Sequence, residues 1–215
     1  MTILLAQDWD IILETGDQYE EFITQTYFPK CKELGLNSVG GFYVEVGFGP
    51  RIVSIKKTDS LSDLMKIMSS KEFKTLHSQL REYVVSYKSR ILEPTGRVKN
   101  NDYKIQKGVW KFNQYYDLIP GLKSQYSDFI IKEYIPTMEQ LDYVEITGGW
   151  NVLVGGICEV IAEMTFKTPV DIGRMFEDGR YKTIAEKLQR NYVMNYMTRI
   201  MRTTERFEQT KWYRL

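Results

Sequence analysis

His77 is the only histidine of the chain, and it lies between Leu76 and Leu80 on the apolar face of a predicted helix. Its imidazole could act as a general acid or base, or could bind heme iron, because it titrates near neutral pH. The alternative is a structural histidine at the edge of that face, satisfied by a backbone carbonyl or a water molecule. If a pocket opens against this face, we expect His77 to line it together with Tyr19 or Tyr83.

Trp150 and Asn151 form a second candidate, a ligand-binding pair on a predicted strand. Alternation along the strand assigns Trp150 to the same face as Val152 and Val154, which we expect to be buried, and Asn151 to the other face. An aromatic wall with a polar group nearby suits a flat, apolar ligand. Equally, Trp150 could simply fill the interior of the fold.

Arg199 could bind the carboxylate or phosphate of a ligand through its planar guanidinium group. A second arginine, Arg90, occupies the matching position in the first half of the chain. This recurrence favours a structural ion pair, with Asp63 and Asp171 or another nearby carboxylate as the partners.

The composition predicts no metal site and no cofactor. One histidine and two distant cysteines, Cys31 and Cys158, cannot form an imidazole or thiolate cage around a metal ion. Two buried thiols in a reducing cytoplasm are the simplest interpretation of these cysteines.

The charge balance excludes two classes of partner. The chain carries 29 basic and 28 acidic residues, whereas nucleic-acid proteins and polybasic membrane binders show a basic excess. The apolar run near the N-terminus covers only Ile3 to Ala6, which predicts neither a signal peptide nor a membrane span. We therefore expect a cytoplasmic protein that binds neither nucleic acid nor a membrane.

The elements that position these residues form a unit that occurs twice. With a shift of 107 positions, YEEFITQTYFPKCKEL (19–34) aligns with YSDFIIKEYIPTMEQL (126–141). Two single-residue insertions then align GGFYVEVG with GGWNVLVG and YVVSYKSRI with YVMNYMTRI. Matches in register across a whole unit indicate an internal duplication. We expect a first repeat at residues 1–98, a polar linker at 99–108, and a second repeat with a C-terminal tail at 109–215.

Each repeat predicts the element order β-α-β-β-α-β. A strand is followed by an amphipathic helix that should kink or restart one turn before Pro29 or Pro136. A glycine pair then opens a β-hairpin. The second helix begins at a hydroxyl cap, Ser60 or Thr168, and its apolar face continues as far as Tyr87 in the first repeat.

These motifs resemble the dimeric α+β barrel superfamily and, within it, NIPSNAP-type and related uncharacterised proteins. The resemblance is carried by the helix YxxFxxxYxP, the strand GG[FW]xVxVG, the capped helix SLSDL or TPVDI, and the closing YVxxYxxRI. It implies an α+β fold in which two tandem ferredoxin-like repeats form a pseudo-symmetric barrel. Heme-binding members of the superfamily typically carry the proximal histidine in the second repeat, where this chain has Ala185 at the position that matches His77.

Two classes of function stay open at this stage, and whether the protein is an enzyme is uncertain. The first is binding or transforming a small apolar or aromatic molecule without a metal. The second is a non-catalytic structural or assembly role, in which the barrel is filled by its own aromatic residues. A heme-binding barrel enzyme is a further alternative. A cleft of several hundred Å³ lined by His77 or Trp150 would favour the first class, and a solid interior the second.

We predict that the protein forms a homo-oligomer. Its 15 tyrosines and its aromatic C-terminal tail suggest more apolar surface than the interior of one barrel can bury. Tyrosine is also enriched at protein interfaces. Light scattering in dilute solution should therefore give a mass above the monomer's 25.3 kDa. A mass equal to that of the monomer would refute this prediction.

Overall fold

Eight antiparallel strands, four from each repeat, close into one barrel. The computed structural model describes residues 2–98 and 103–204. The strands are β1 (Ile3–Ile11), β2 (Asn37–Gly47), β3 (Ile52–Thr58), β4 (Val84–Pro94), β5 (Trp110–Leu118), β6 (Glu145–Val154), β7 (Val160–Phe166) and β8 (Val193–Thr203). Their order around the barrel is β1-β3-β2-β8-β5-β7-β6-β4. The expected α+β fold of two ferredoxin-like repeats is confirmed.

Helices lie against the outer face of each repeat's four strands. They are α1 (Gly16–Glu21), α2 (Phe28–Glu33), α3 (Leu61–Ser69), α4 (Lys71–Leu80), α5 (Lys123–Phe129), α6 (Ile135–Met138), α7 (Pro169–Glu177) and α8 (Gly179–Asn191). Within the described ranges, no helix combines the length and the apolar character needed to cross a membrane.

The first helical segment of each repeat changes its winding just before its proline. A π-helical turn, Phe22–Tyr27 or Ile130–Tyr134, separates α1 from α2 and α5 from α6. Proline lacks a backbone N–H, so the regular hydrogen bond that would end at Pro29 or Pro136 cannot form. The expected restart of the helix is found at both places.

The second helical segment begins as expected but ends earlier than the sequence predicted. Ser60 Oγ accepts from the Asp63 backbone N–H at 3.0 Å, which caps α3. The apolar face expected to run to Tyr87 stops with α4, because Val84 begins a strand that pairs with β1. The adjacent β-branched residues favour the strand, and Ser86 takes a positive φ of 55° beside an irregularity in the pairing with β1.

The interior of the barrel is filled by side chains from both repeats. Its buried apolar members are Leu4, Ala6, Val39, Phe42, Val44, Val53, Ile55, Leu92, Tyr103, Tyr115, Trp150, Cys158, Ile161 and Met201. The alternation that placed Val154 inside is wrong, since its side chain is 61% exposed, and Val46 at the matching position of the first repeat is 60% exposed. The two repeats meet where β2 pairs with β8 and where β4 pairs with β6. Both pairings are irregular next to these valines, so the alternation of side chains is broken there.

One buried carboxylate joins the two repeats inside the barrel. Asp8 accepts from Arg90 Nη2 at 2.5 Å and from Arg199 Nη1 at 2.9 Å, and all three side chains are buried. The expected structural ion pair of these arginines is found, with another nearby carboxylate and not with Asp63 and Asp171. Both of those aspartates lie at helix N-termini, where they interact with the capping hydroxyls.

A residue of the linker enters the barrel at a second buried ion pair. Lys111 Nζ lies 2.5 Å from Glu163 Oε2, and Tyr103 donates its hydroxyl to Glu163 Oε1 at 2.6 Å. The ring of Tyr103 also packs edge-on against Trp150, with the ring centroids 5.0 Å apart. The expected polar linker at 99–108 therefore contributes a core residue, while residues 99–102 lie outside the described ranges.

Replacing Asp8 by Asn should lower the free energy of unfolding by about 3–5 kcal/mol, because it leaves two buried guanidinium groups without a counter-charge. Denaturant unfolding followed by circular dichroism measures this. Asp128→Asn is the control: it removes an exposed helical pair with Lys132 and should change stability by at most about 0.5 kcal/mol. Equal effects of the two variants would contradict the role given to Asp8.

Replacing Gly155 by Ala should destabilise the fold by more than about 2 kcal/mol. Gly155 has a φ of +79°, and an added Cβ would lie 2.0 Å from the backbone oxygen of Ser89 in β4. Gly173→Ala in α7 meets nothing within 4 Å and should be neutral or stabilise by up to about 1 kcal/mol. Thermal melting of the pair tests this, and similar melting temperatures for both variants would refute it.

Candidate functional site

His77 packs between helix and sheet in the first repeat. Its ring stacks on Phe73 at a centroid distance of 6.2 Å and meets Tyr87 edge-on at 4.7 Å. Its Nε2 atom is buried without a hydrogen-bond partner. Burial, and to a lesser degree the charge of Arg81, lower the pKa of His77 below its usual value. The imidazole is therefore uncharged at neutral pH.

Tyr19 and Tyr83 lie in the same layer of the first repeat but contact other residues. The Tyr19 hydroxyl accepts from Trp9 Nε1 at 2.9 Å, and both side chains are fully buried. The ring of Tyr83 stacks on Phe22 with the centroids 5.1 Å apart. Whether His77 and these tyrosines share a ligand stays a prediction.

The remaining candidates from the sequence lie elsewhere. Trp150 and Arg199 are inside the barrel, at the two buried ion pairs. Asn151 lines an open groove of about 460 Å³ on the outside, where its Nδ2 lies 3.5 Å from Glu93 Oε1. The six candidate residues are thus divided among three places and do not form one site.

The second repeat carries a groove of about 430 Å³ between α8 and strands β5 and β8. Its lining consists of four aromatic rings, a rim of charged and amide side chains, and two small residues: Phe112, Phe176, Tyr181, Lys182, Ala185, Glu186, Gln189, Arg190, Tyr196 and Thr198. This volume is within the usual range for small-molecule sites.

Ala185 opens this groove because of its size. In the repeat alignment it takes the position of His77, while Tyr181 and Tyr196 take those of Phe73 and Tyr87. In the first repeat the imidazole lies against both of these rings. In the second repeat a methyl group stands in its place, and Ala185 lines the groove together with both tyrosines.

Buried phenols form the polar part of the groove. Gln114 Nε2 donates to the Tyr181 hydroxyl at 3.4 Å, and Gln114 Oε1 accepts from the Tyr134 hydroxyl at 3.1 Å. Burial raises the pKa of Tyr181 to about 12 and raises that of Tyr196 as well. Both phenols therefore stay protonated at neutral pH, and their hydroxyls are hydrogen-bonded to each other.

Lys56 and Cys31 form a polar pair that the sequence reasoning did not single out. Lys56 is fully buried between β3 and the first helical segment, and the Cys31 thiol is buried next to it. The repeat alignment places Met164 opposite Lys56 and Met138 opposite Cys31. This contrast was the signal that the sequence offered for the pair. Two methionines in one repeat align with a lysine and a cysteine in the other, which indicates different chemistry within a shared fold.

A heme does not fit the groove at Ala185. Its lining offers no imidazole, thiol or thioether that could bind the iron. Its phenols are held in the neutral form, which binds iron poorly. Across residues 2–98 and 103–204, no group of three or more His, Cys, Asp and Glu side chains is arranged to hold a metal ion.

Several solved structures share this fold over nearly the whole chain. A candidate monooxygenase from Lactobacillus acidophilus NCFM has 11% identity and a TM-score of 0.63, with 94% of this chain and 93% of that chain covered. A heme-binding protein from Thermus thermophilus has 12% identity and a TM-score of 0.58, with 95% and 92% covered. A mutant chlorite dismutase from Candidatus Nitrospira defluvii has 8% identity and a TM-score of 0.60, with 93% and 91% covered.

Proteins of the NIPSNAP family are also among the structural neighbours, over 44% of this chain. The sequence matches no protein-family model and no curated protein sequence. At these identities the likeness concerns the fold alone. The chain has the tandem ferredoxin-like fold of the dimeric α+β barrel proteins.

Proposed function

We propose that this protein binds a small, flat, apolar or aromatic molecule in the second-repeat groove, without a metal. One observation carries the proposal: a groove opens next to Ala185, the residue that takes the position of His77, and Tyr181 and Tyr196 form part of its wall. The groove combines aromatic walls with a few polar groups, as ligand sites commonly do.

The charges at the rim restrict the ligand further. Lys182, Glu186 and Arg190 line the outer part of the groove, and Arg190 lies 2.6 Å from Glu186 in an exposed pair. An acidic group on the ligand could compete for the two cations. We therefore infer an aromatic molecule with one acidic or hydrogen-bonding substituent.

The groups in the groove favour binding over catalysis. Acid–base chemistry needs a group that gains and loses a proton near the working pH, and both phenols keep their protons there. His77 meets that requirement better, but it lies in the other repeat. A catalytic role for His77 is a separate hypothesis.

A structural or assembly role is the second candidate. It is supported by the solid interior of the barrel, where Trp150, Tyr103 and Tyr115 occupy the space that a central ligand would need. If no small molecule binds the groove, this second role is the better account of the fold.

We also propose that the protein is a homo-oligomer in a reducing compartment such as the cytoplasm. The exposed apolar side chains Val46 and Val154, both next to the seams, support the first part. The unpaired state of Cys31 and Cys158 supports the second.

The variant Ala185→His should weaken ligand binding at least about ten-fold, because it gives the second repeat the residue with which the first repeat fills this space. The probe is 8-anilinonaphthalene-1-sulfonate, a flat aromatic anion, and its affinity and stoichiometry are measured by fluorescence titration and calorimetry.

The reciprocal variant His77→Ala is the matched control. It should open the corresponding space in the first repeat and add a binding site for the same probe, while the site at Ala185 is retained. Unchanged probe affinity in Ala185→His would overturn the proposal. Native mass spectrometry of protein purified from its own host would then show whether any ligand is retained elsewhere.

A further inference from the structure

Lys56 is a buried amine whose partners are all uncharged. Its Nζ donates to Gln7 Oε1 at 2.7 Å and to Ser54 Oγ at 2.9 Å, and the side chain has no exposed surface. The rings of Tyr27 and Phe28 lie 4.8 Å and 5.6 Å from the nitrogen. Buried lysines normally face a carboxylate, since an unpaired buried charge is costly.

These contacts match the hydrogen-bonding needs of a neutral amine. A neutral amine has two N–H donors and one lone pair, and Gln7 and Ser54 supply two acceptors. The remaining side of the nitrogen faces the aromatic rings of Tyr27 and Phe28 instead of a carboxylate. Burial lowers the pKa of Lys56 to about 8, opposed in part by Cys31. At pH 7 about a tenth of the side chain is then the neutral, nucleophilic amine, a far larger fraction than for an ordinary lysine.

The second repeat shows that the fold does not require this amine. Met164 takes the position of Lys56, and Met138, which is fully buried, takes that of Cys31. Methionine fills such a site without a desolvated polar group. A residue that breaks a packing rule in one repeat, where the other repeat obeys it, is a candidate for function.

A cationic groove lies one side chain away from Lys56. It has a volume of about 750 Å³, and Phe28, whose ring faces Lys56 Nζ, forms part of its wall. Three lysines, Lys32, Lys57 and Lys104, are among its lining residues, and no carboxylate is found among those that the structure describes. Such a groove attracts anions. Its apolar wall includes Val39 and Ile105.

We propose that Lys56 is a nucleophile that forms an imine with a small anionic aldehyde or ketone bound in this groove. The acid group of the carbonyl compound faces the lysines of the rim, and its carbonyl carbon reaches Lys56 past the ring of Phe28. This site is independent of the groove at Ala185.

The reaction needs no oxidant and no further reactant. The lone pair of Lys56 Nζ attacks the carbonyl carbon and forms a C–N bond, which gives a carbinolamine. The two hydrogens of the amine leave with the carbonyl oxygen as one water molecule, and a C=N bond remains. Water adds back in the reverse direction to release the carbonyl compound.

Reductive trapping tests the proposal. The full-length protein is treated briefly at pH 7 with glyoxylate and sodium cyanoborohydride, and modified lysines are located and quantified by peptide mass spectrometry. An ordinary lysine has a pKa of about 10.4 and is almost wholly protonated at this pH. We expect Lys56 to be modified at least about ten times faster than Lys57, its neighbour on the same strand.

Three variants sharpen the result. Lys56→Met, which copies Met164, should remove the fast phase while keeping the circular dichroism spectrum. Lys74→Met, a control at an exposed lysine of α4 outside the groove, should leave the fast phase intact. Phe28→Ala should accelerate modification of Lys56 by removing the ring between it and the groove. Modification of Lys56 no faster than that of Lys57 would overturn the proposal, and an unchanged rate in Phe28→Ala would overturn the route through the groove.

Discussion

The structure depends on two seams where the repeats pair edge to edge, β2 with β8 and β4 with β6. A four-stranded sheet alone exposes two edges and one apolar face, and both seams together remove every edge. Asp8 links the repeats at the centre of this closure, since it binds Arg90 of its own repeat and Arg199 of the other. Its counterpart in the second repeat is Tyr115. One carboxylate therefore serves two arginines related by the duplication.

Closure also decides where a ligand can bind. Both sheets direct alternate side chains into one shared interior, and large residues from each repeat fill it. Space for a small molecule is therefore found outside the barrel, between the strands and the helices. In those outer layers each repeat has its own core, so one copy can change without disturbing the other. The differences at Ala185 and at Lys56 are located in these layers.

Much of the fold could be predicted because local rules and the duplication agree. The caps at Ser60 and Thr168 and the restart at Pro29 follow from the hydrogen-bonding capacity of single residues. Predictions from the sequence fail at residues whose neighbours come from the other repeat. Val154 was assigned to the interior by alternation, but its position follows from the pairing of β6 with β4, which no local pattern contains.

The candidate site was harder to predict for the same reason. Arg90 and Arg199 were recognised as a pair, yet their partner Asp8 has no counterpart carboxylate in the second repeat, so the repeat itself pointed to the wrong aspartates. Lys56 was not recognised as a candidate, because two consecutive lysines at the end of a strand usually indicate an exposed edge. The repeat alignment, which places Met164 at the position of Lys56, was the one signal in the sequence, and the structure shows which of the two lysines is buried.

The comparison between the repeats bears on why Lys56 is present at all. Both repeats place this position under the same helical segment, and both keep a glutamine, Gln7 or Gln114, that accepts from a tyrosine. The polar network therefore exists without a lysine, and Met164 shows that a thioether packs there. Burying the Lys56 amine lowers the free energy of unfolding below about pH 8, where the amine is mostly charged. This cost falls on the first repeat only. A structural role does not explain that asymmetry, whereas a chemical role for the amine does.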